Sequence, residues 1–425
     1  MACFSATQLH TLLWTSSLNR TSHHFKPNYT YRTPKFLFRQ KPLIASFSTS
    51  DIEARTETKD SSTATPRELC HGHVPEHVIR RVEEVGYVIP TEVQLLALPF
   101  LYSGRDCVLH AQTGSGKTLA YLLQMLSVID SQRSAVQALI VVPTRELGMQ
   151  AEPPTIVVAT MGSLCQMLEK HILKLDSCQV LVVDEVDFMF NSSKEISSLK
   201  RLLTSYSSSK NRQTIFASAS IPQHRRFLYD CVQQKWTKAD VVHVHVNSVE
   251  PMPSCLHHRF VVCTKREKNQ VLLSLLQVDS PESAIIFVSE QSEKSKKAGN
   301  APPITLLVDF LMSSSGGFSN VSLLEEDMNF NKRAASLSEL RGGGGYLLVA
   351  TDIAARGVDL PETTHIYNFD IPKDAVNYLH RAGRTGRKPF SDKKCFVTSI
   401  ITVEERFVLQ RFENELMFCC EQLFV

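Results

Sequence analysis

The chain has 425 residues, 43% of them apolar and 21% charged, ordinary globular proportions and enough length for two domains with separate cores. No run of 18 apolar residues is present, which excludes a membrane-spanning helix, and eleven scattered cysteines without a C-x-x-C pair supply no disulfide or zinc framework. The net charge of +3 is unevenly spread: residues 1–50 carry six basic and no acidic side chains, so the rest of the chain is slightly acidic. Any nucleic-acid site in that body has to be a local groove, because bulk charge does not provide one.

In chain order, the first segment holds Arg20, Lys26, Arg32, Lys35, Arg39 and Lys41 among seven Ser and seven Thr. A basic, hydroxyl-rich, acid-free leader without an apolar h-region predicts an organelle transit peptide over residues 1–65, removed between Phe47 and about Thr65. Its Ala2 and Ser/Thr weight favour a chloroplast, with the mitochondrion as the alternative destination and a disordered tail as the alternative structure. Val74–Val85 reads as a helix, ended at Gly86-Tyr87, and Pro90-Thr91 opens the next. Short β-rich runs then alternate with helical stretches: Val108-Leu109, Leu139–Val142, Ile156–Ala159, Val180–Val183 and Ile215–Ala217. A second series follows at Arg259–Cys263, Ile285–Val288, Tyr346–Ala350, His365–Asn368 and Cys395–Ile400. Such alternation predicts α/β architecture, a mainly parallel sheet flanked by helices in each of two domains, 66–246 and 256–425. The linker is residues 247–255, with Pro251 and Pro253. Ser313–Asn320 reads as a surface loop and Gly342–Gly345 as a turn. His243 and His245 alternate on one strand face and His257-His258 follow, but no further ligand stands at metal-site spacing.

Two strings carry most of the chemistry. Ala111-Gln-Thr-Gly-Ser-Gly-Lys-Thr118 follows a strand and opens a helix, the arrangement of a phosphate-binding loop. Gly114 and Gly116 let the backbone amides of Ala111, Thr113, Gly114, Ser115 and Gly116 face phosphate, Lys117 offers a point charge and Thr118 a hydroxyl for Mg²⁺. The other string, His380-Arg-Ala-Gly-Arg-Thr-Gly-Arg387, brings three arginines from the second domain, as expected of fingers that reach a triphosphate. Between them, an apolar strand runs into Asp184-Glu-Val-Asp187. Asp184 would hold Mg²⁺ and Glu185 would orient and deprotonate the attacking water. A nucleotide held by one domain and sensed by another makes a ligand-driven clamp.

With these strings in order, the chain resembles the DEAD-box ATP-dependent RNA helicases of superfamily 2, chloroplast-targeted plant members in particular, from about Glu68 to about Leu416. The resemblance implies two RecA-like domains, ATP and Mg²⁺ as nucleotide and metal, and RNA gripped by its backbone without sequence preference. It implies that Gln94, in Tyr87-Val-Ile-Pro-Thr-Glu-Val-Gln94, reads the adenine edge. Pro143, Thr144 and Arg145 match an RNA-backbone motif, and Thr160 and Gly162 a second one. Ser218-Ala-Ser220 matches the motif that couples hydrolysis to unwinding, through Ser218 and Ser220. Ala350–Asp359 matches a segment touching both RNA and nucleotide, assigning Thr351 and Arg356 to RNA or coupling and Asp359 to nucleotide. Arg384 and Arg387 become the γ-phosphate fingers, and Arg381 a support of the domain interface.

The chain departs from that family in several places. Only Gly148–Thr155 separates Leu147 from the strand at Ile156, where the family has a helix, a strand and another helix; one βα unit is missing, which predicts a gap or an edge in the sheet. Thr160-Met-Gly-Ser163 lacks the family's RNA-contacting arginine. Leu69 stands at the adenine-stacking aromatic, Phe330 replaces a usual glutamine while Arg333 stays, and Ser289–Asn329 is longer than usual. The function expected is local unwinding of RNA duplexes or remodelling of RNA–protein complexes driven by ATP hydrolysis. The alternative is a nucleotide-dependent RNA clamp that does not unwind; a DNA helicase of the same superfamily is the third reading. No partner protein is indicated, and no membrane.

Overall fold

Among the described residues, every strand pairing in the computed structural model is parallel. The structure describes residues 65–143, 155–190, 193–206, 212–221, 224–246, 252, 255–314, 321–325, 328–341, 345–356, 358, 360–361, 363–386 and 394–424. Thr144, Arg145, Asp359, Arg387, the leader up to residue 64 and most of the expected linker lie outside these.

The first sheet comprises β1 (Cys107–His110), β2 (Ala138–Val142), β3 (Ile156–Thr160), β4 (Val180–Asp184), β5 (Gln213–Ser218) and β6 (Val242–His245), in the order β3-β2-β4-β5-β1-β6. β2 and the first four residues of β4 are apolar and buried, and β5, apolar at Ile215–Ala217, is buried at every position, as needed when helices cover both faces of a parallel sheet. Because successive side chains point to opposite faces, Leu109, Ile140, Val182 and Ile215 pack in one core layer. Val108, Leu139, Val141, Leu181, Val183 and Phe216 pack in the other.

The second sheet comprises β7 (Leu256–Val262), β8 (Ser283–Phe287), β9 (Val321–Leu324), β10 (Tyr346–Ala350), β11 (His365–Asn368), β12 (Cys395–Ile401) and β13 (Cys420–Gln422), in the order β13-β7-β12-β11-β8-β10-β9. All ten strands read from the sequence are present. The alternating histidines lie on β6, where His243 and His245 stack with His110 of β1, the last two rings 4.2 Å apart. The short β9 and β13, four and three residues long at the two ends of the sheet, were not foreseen. Met252, placed in the linker, is buried in the core of the second sheet.

The short connection after β2 has a definite outcome. β3 pairs directly with β2, from Ala138↔Ile156 to Val142↔Thr160. Among the described residues the sheet therefore has an edge and no gap. On β3 only Val157 and Ala159 are buried, while Ile156, Val158 and Thr160 stay half-exposed. That half-covered face is the one from which Ile156 and Val158 touch the core.

Candidate nucleotide and RNA cleft

β4, β5 and β1 are neighbours, so their carboxyl ends gather the first group of expected side chains at one sheet edge, where open α/β sheets bind ligands. After β1 the chain turns through Gly114 at φ 81° and Gly116 at φ 95°, a left-handed backbone that glycine adopts without penalty. A Cβ on Gly116 would lie 2.5 Å from the Gln94 carboxamide nitrogen, so the close approach also demands glycine. The helix Lys117–Val128 starts there, with its free amides and positive dipole end facing the loop. Lys117 is buried and its ammonium donates to the Ala111 carbonyl and, at 2.9 Å, to that of Gln112, which holds the charge in the mouth of the loop.

Gln94 sits at the third position of the helix Glu92–Tyr102, whose capping box with Thr91 was legible as Thr-x-x-Gln. Its Oε1 accepts from the Thr91 amide at 3.0 Å and its Nε2 donates to the Gly116 carbonyl at 3.2 Å. It thus ties its helix to the phosphate loop. Leu69 is half-buried against the first core.

At the end of β4, Asp184 accepts from the Tyr121 hydroxyl at 2.8 Å and from the Glu185 amide at 2.9 Å. Burial raises the Asp184 carboxyl above its ordinary range, opposed by the Tyr121 hydrogen bond and the Lys117 charge. Glu185 has φ 48°, a left-handed conformation unusual for a non-glycine residue and one found at functional sites. Burial raises its pKa as well, opposed by His380 and Arg384, a direction that suits a proton acceptor. Thr118 and Asp184 are a hydroxyl and a carboxylate at one sheet edge, a donor set of the hard-oxygen kind that Mg²⁺ takes.

The second domain closes onto this edge. Asp187 accepts from His380 Nε2 at 2.8 Å, contacts the Ser218 hydroxyl, and pairs with Arg356 at 3.6 Å. Burial pushes its carboxyl up, but His380, Arg356 and Ser218 outweigh that and hold it far below the usual carboxylate range. Arg356 also donates to Asn377 and stacks over Phe188, 5.2 Å from the ring centre. A Cβ on Gly383 would come within 3.3 Å of the Thr113 side chain, so the string His380–Gly386 meets the phosphate loop itself. Arg384 is buried, donates to the Val358 carbonyl at 2.7 Å, and its charge reaches Glu185. Ser220 folds back on Ser218 through its amide at 3.3 Å.

Arg381 corrects an expectation. It donates to Asp352 at 2.6 Å, to Asn368 and to the Asp370 carbonyl, and lies over Phe287. All four belong to the second domain, so Arg381 braces that domain's interior and not the interface. Conversely, Asp187 and His380 stood in the quoted strings without a role, although they bond across the domain boundary at 2.8 Å.

Next to this junction a cleft of about 860 Å³ runs between the domains. Pro143, Thr160 and Gly162 line it from the first domain, and Arg333, Arg356 and Asn377 from the second. Thr160 caps the helix Met161–Glu169, accepting from the Ser163 amide at 3.4 Å, and a Cβ on Gly162 would meet nothing within 4 Å. Thr351, buried, precedes the 3₁₀ turn Asp352–Ala355 whose Asp352 and Ile353 complete the wall.

Known proteins share this organisation. The DEAD/DEAH box helicase family model matches residues 91–153 and 150–227, in two pieces that break at the short connection. The helicase conserved C-terminal domain matches residues 267–389. Chloroplastic DEAD-box ATP-dependent RNA helicase 58 of Arabidopsis thaliana is 60% identical over 414 positions, 88% of either chain. The rice protein of the same name is 61% identical over 395 positions, 85% of this chain and 90% of that one. Among solved structures, Saccharomyces cerevisiae Dbp5 bound to RNA and ADP-BeF3 superposes with a TM-score of 0.70 at 21% identity, over 82% of this chain and 94% of that one. Mss116p bound to single-stranded RNA and AMP-PNP does so with 0.72 at 21%, over 87% and 81%.

Proposed function

The chain belongs to the DEAD-box ATP-dependent RNA helicases, and from that premise we propose how its residues divide the work. ATP lies with its phosphates on Ala111–Thr118, compensated by Lys117, and with its base near Gln94, which keeps one N–H and one lone pair beyond its bonds to Thr91 and Gly116. Thr118 and Asp184 would hold Mg²⁺, which neutralises charge on the outer phosphates. Glu185 takes the proton of the attacking water. Arg384 and Arg387 meet the γ-phosphate from the second domain, and Asp359 contributes to the nucleotide site. RNA runs through the cleft beside Pro143, Thr144, Arg145, Thr160, Gly162, Thr351 and Arg356, held by backbone and 2′-hydroxyl contacts and hence without sequence preference. The acid-free leader and the chloroplastic relatives support plastid import.

One observation carries the clamp reading: Asp187, two residues after Glu185, is bonded across the domain boundary to His380 and Arg356 and within its own domain to Ser218. Whatever moves the second domain moves groups bonded beside the hydrolytic strand end. Hydrolysis stimulated by RNA in the chain lacking residues 1–64 is the test. Hydrolysis indifferent to RNA would overturn the reading.

The alternative, a clamp that grips RNA without unwinding it, draws support from the half-covered β3 and the two-piece family match. Parallel assays of RNA binding and duplex unwinding separate the two.

A further inference from the structure

The phosphate-loop helix carries a polar group with no role in the scheme above. Tyr121 is 3% exposed, one turn into the helix Lys117–Val128. Its hydroxyl donates to Asp184 Oδ2 at 2.8 Å. A phenol has one proton, and here it goes to the carboxylate. Residues 118 and 121 are three apart on this helix, so Tyr121 stands on the helix face that carries Thr118. We propose that Tyr121 is a positioning residue for the metal site: its hydroxyl holds Asp184 Oδ2 and fixes the carboxylate in the orientation from which it would take Mg²⁺ beside the phosphate loop.

The reasoning is geometric. Asp184 ends β4 and is reached by two donors, Tyr121 on Oδ2 and the Glu185 amide on Oδ1. With both in place the carboxylate plane is fixed. Without the phenol, Oδ2 is free to rotate about a single remaining bond. Ligand orientation of this kind is what outer partners of metal sites supply. A phenol keeps its proton at neutral pH, so the hydroxyl remains a donor. The proposal rests on the nucleotide-site reading above.

The test is Tyr121→Phe in the full chain. The ring and its packing stay and only the hydroxyl goes, so the fold persists, with the melting temperature measured alongside. Binding of a fluorescent ATP analogue is titrated against free Mg²⁺ and repeated in EDTA. The free Mg²⁺ needed for half-maximal tightening should rise about fivefold, less than the full worth of a hydrogen bond to a charged group because the Glu185 amide still holds the other carboxylate oxygen. Affinity in EDTA should stay within about twofold of wild type, since the loop and Lys117 are untouched. An unchanged Mg²⁺ requirement overturns the proposal. Equal weakening with and without Mg²⁺ also overturns it, because the hydroxyl would then serve loop packing. A wild-type protein that binds the ATP analogue but ignores Mg²⁺ would overturn the metal-site reading together with the proposal, and one that binds no analogue at all would overturn the nucleotide reading.

Discussion

The centre and the outer edge of the first sheet are built to different standards. β4 and β5 are flanked on both sides by paired strands, and β5 is buried at every position. They carry Asp184, Glu185 and Ser218, next to the strand that feeds the phosphate loop. β3 has one neighbour and alternates buried with half-exposed residues, yet it leads into Thr160 and Gly162 of the proposed RNA cleft. The proposed nucleotide site therefore stands on buried backbone paired on both sides, while part of the proposed RNA wall stands on a strand with little cover. Changes at the centre should act on turnover, and changes at the edge on RNA grip and stability.

The sharpest break of that comparison is at the centre. Glu185→Gln removes the proton acceptor while keeping its shape, so turnover should fall by about 10³ or more with ATP affinity within a few-fold. Stopped-flow nucleotide binding beside steady-state hydrolysis checks this, and a matching loss of binding would deny Glu185 its catalytic part. Next in size is the interdomain bond. His380→Ala leaves Asp187 buried with a weaker set of partners, and RNA-stimulated turnover should drop by about 10², the scale of a lost buried hydrogen bond to a charge. Hydrolysis without RNA should change far less.

The same contrast explains what was legible in the sequence. Central strands are apolar runs with turn residues on either side, and the loop glycines are fixed by spacing, so β1, β4, β5, Lys117 and Asp184 could all be placed. The strands β9 and β13 could not, because four and three residues are too few to show a repeat. Bonds between distant segments leave no local mark: nothing in Asp184-Glu-Val-Asp187 says that Asp187 meets His380, and nothing marks the Tyr121 hydroxyl as anything but a core aromatic. Arg381 misled because three arginines in one string look alike until their partners are known.

At the edge, restoring a family-length segment after Leu147 should raise stability by about 2 kcal/mol, since covering Ile156 and Val158 buries apolar area now half in water. RNA affinity should rise about tenfold if the segment restores one charge-assisted phosphate contact. ATP affinity should not move, because the loop and Asp184 stand on strands inside the sheet. Melting temperature, RNA titration and nucleotide titration on both forms measure the three. A change in ATP affinity alone would show that centre and edge are not separate.

The smallest expected effect lies in the second domain and is a control on the comparison. His258 of β7 is buried, and its Nδ1 bonds the Tyr378 hydroxyl at 2.9 Å. Burial, helped by neighbouring His257, lowers its pKa to about 4. A histidine that binds its proton less readily when folded leaves the unfolded chain to take up more protons between pH 6.5 and 4, so stability is full above pH 6.5 and falls as pH drops through that window. At pH 5.5 the loss from this one group is about 1 kcal/mol. His258→Asn keeps a polar partner for Tyr378 but cannot titrate. Its melting temperature should therefore fall less between pH 7 and pH 5.5 than that of the wild type, whatever its starting value. Equal falls would show His258 to be charged in the folded domain or reached by water. Because His258 lies on β7, between β13 and β12 of the second sheet, the flattened slope should appear alike in chains with and without the segment after Leu147.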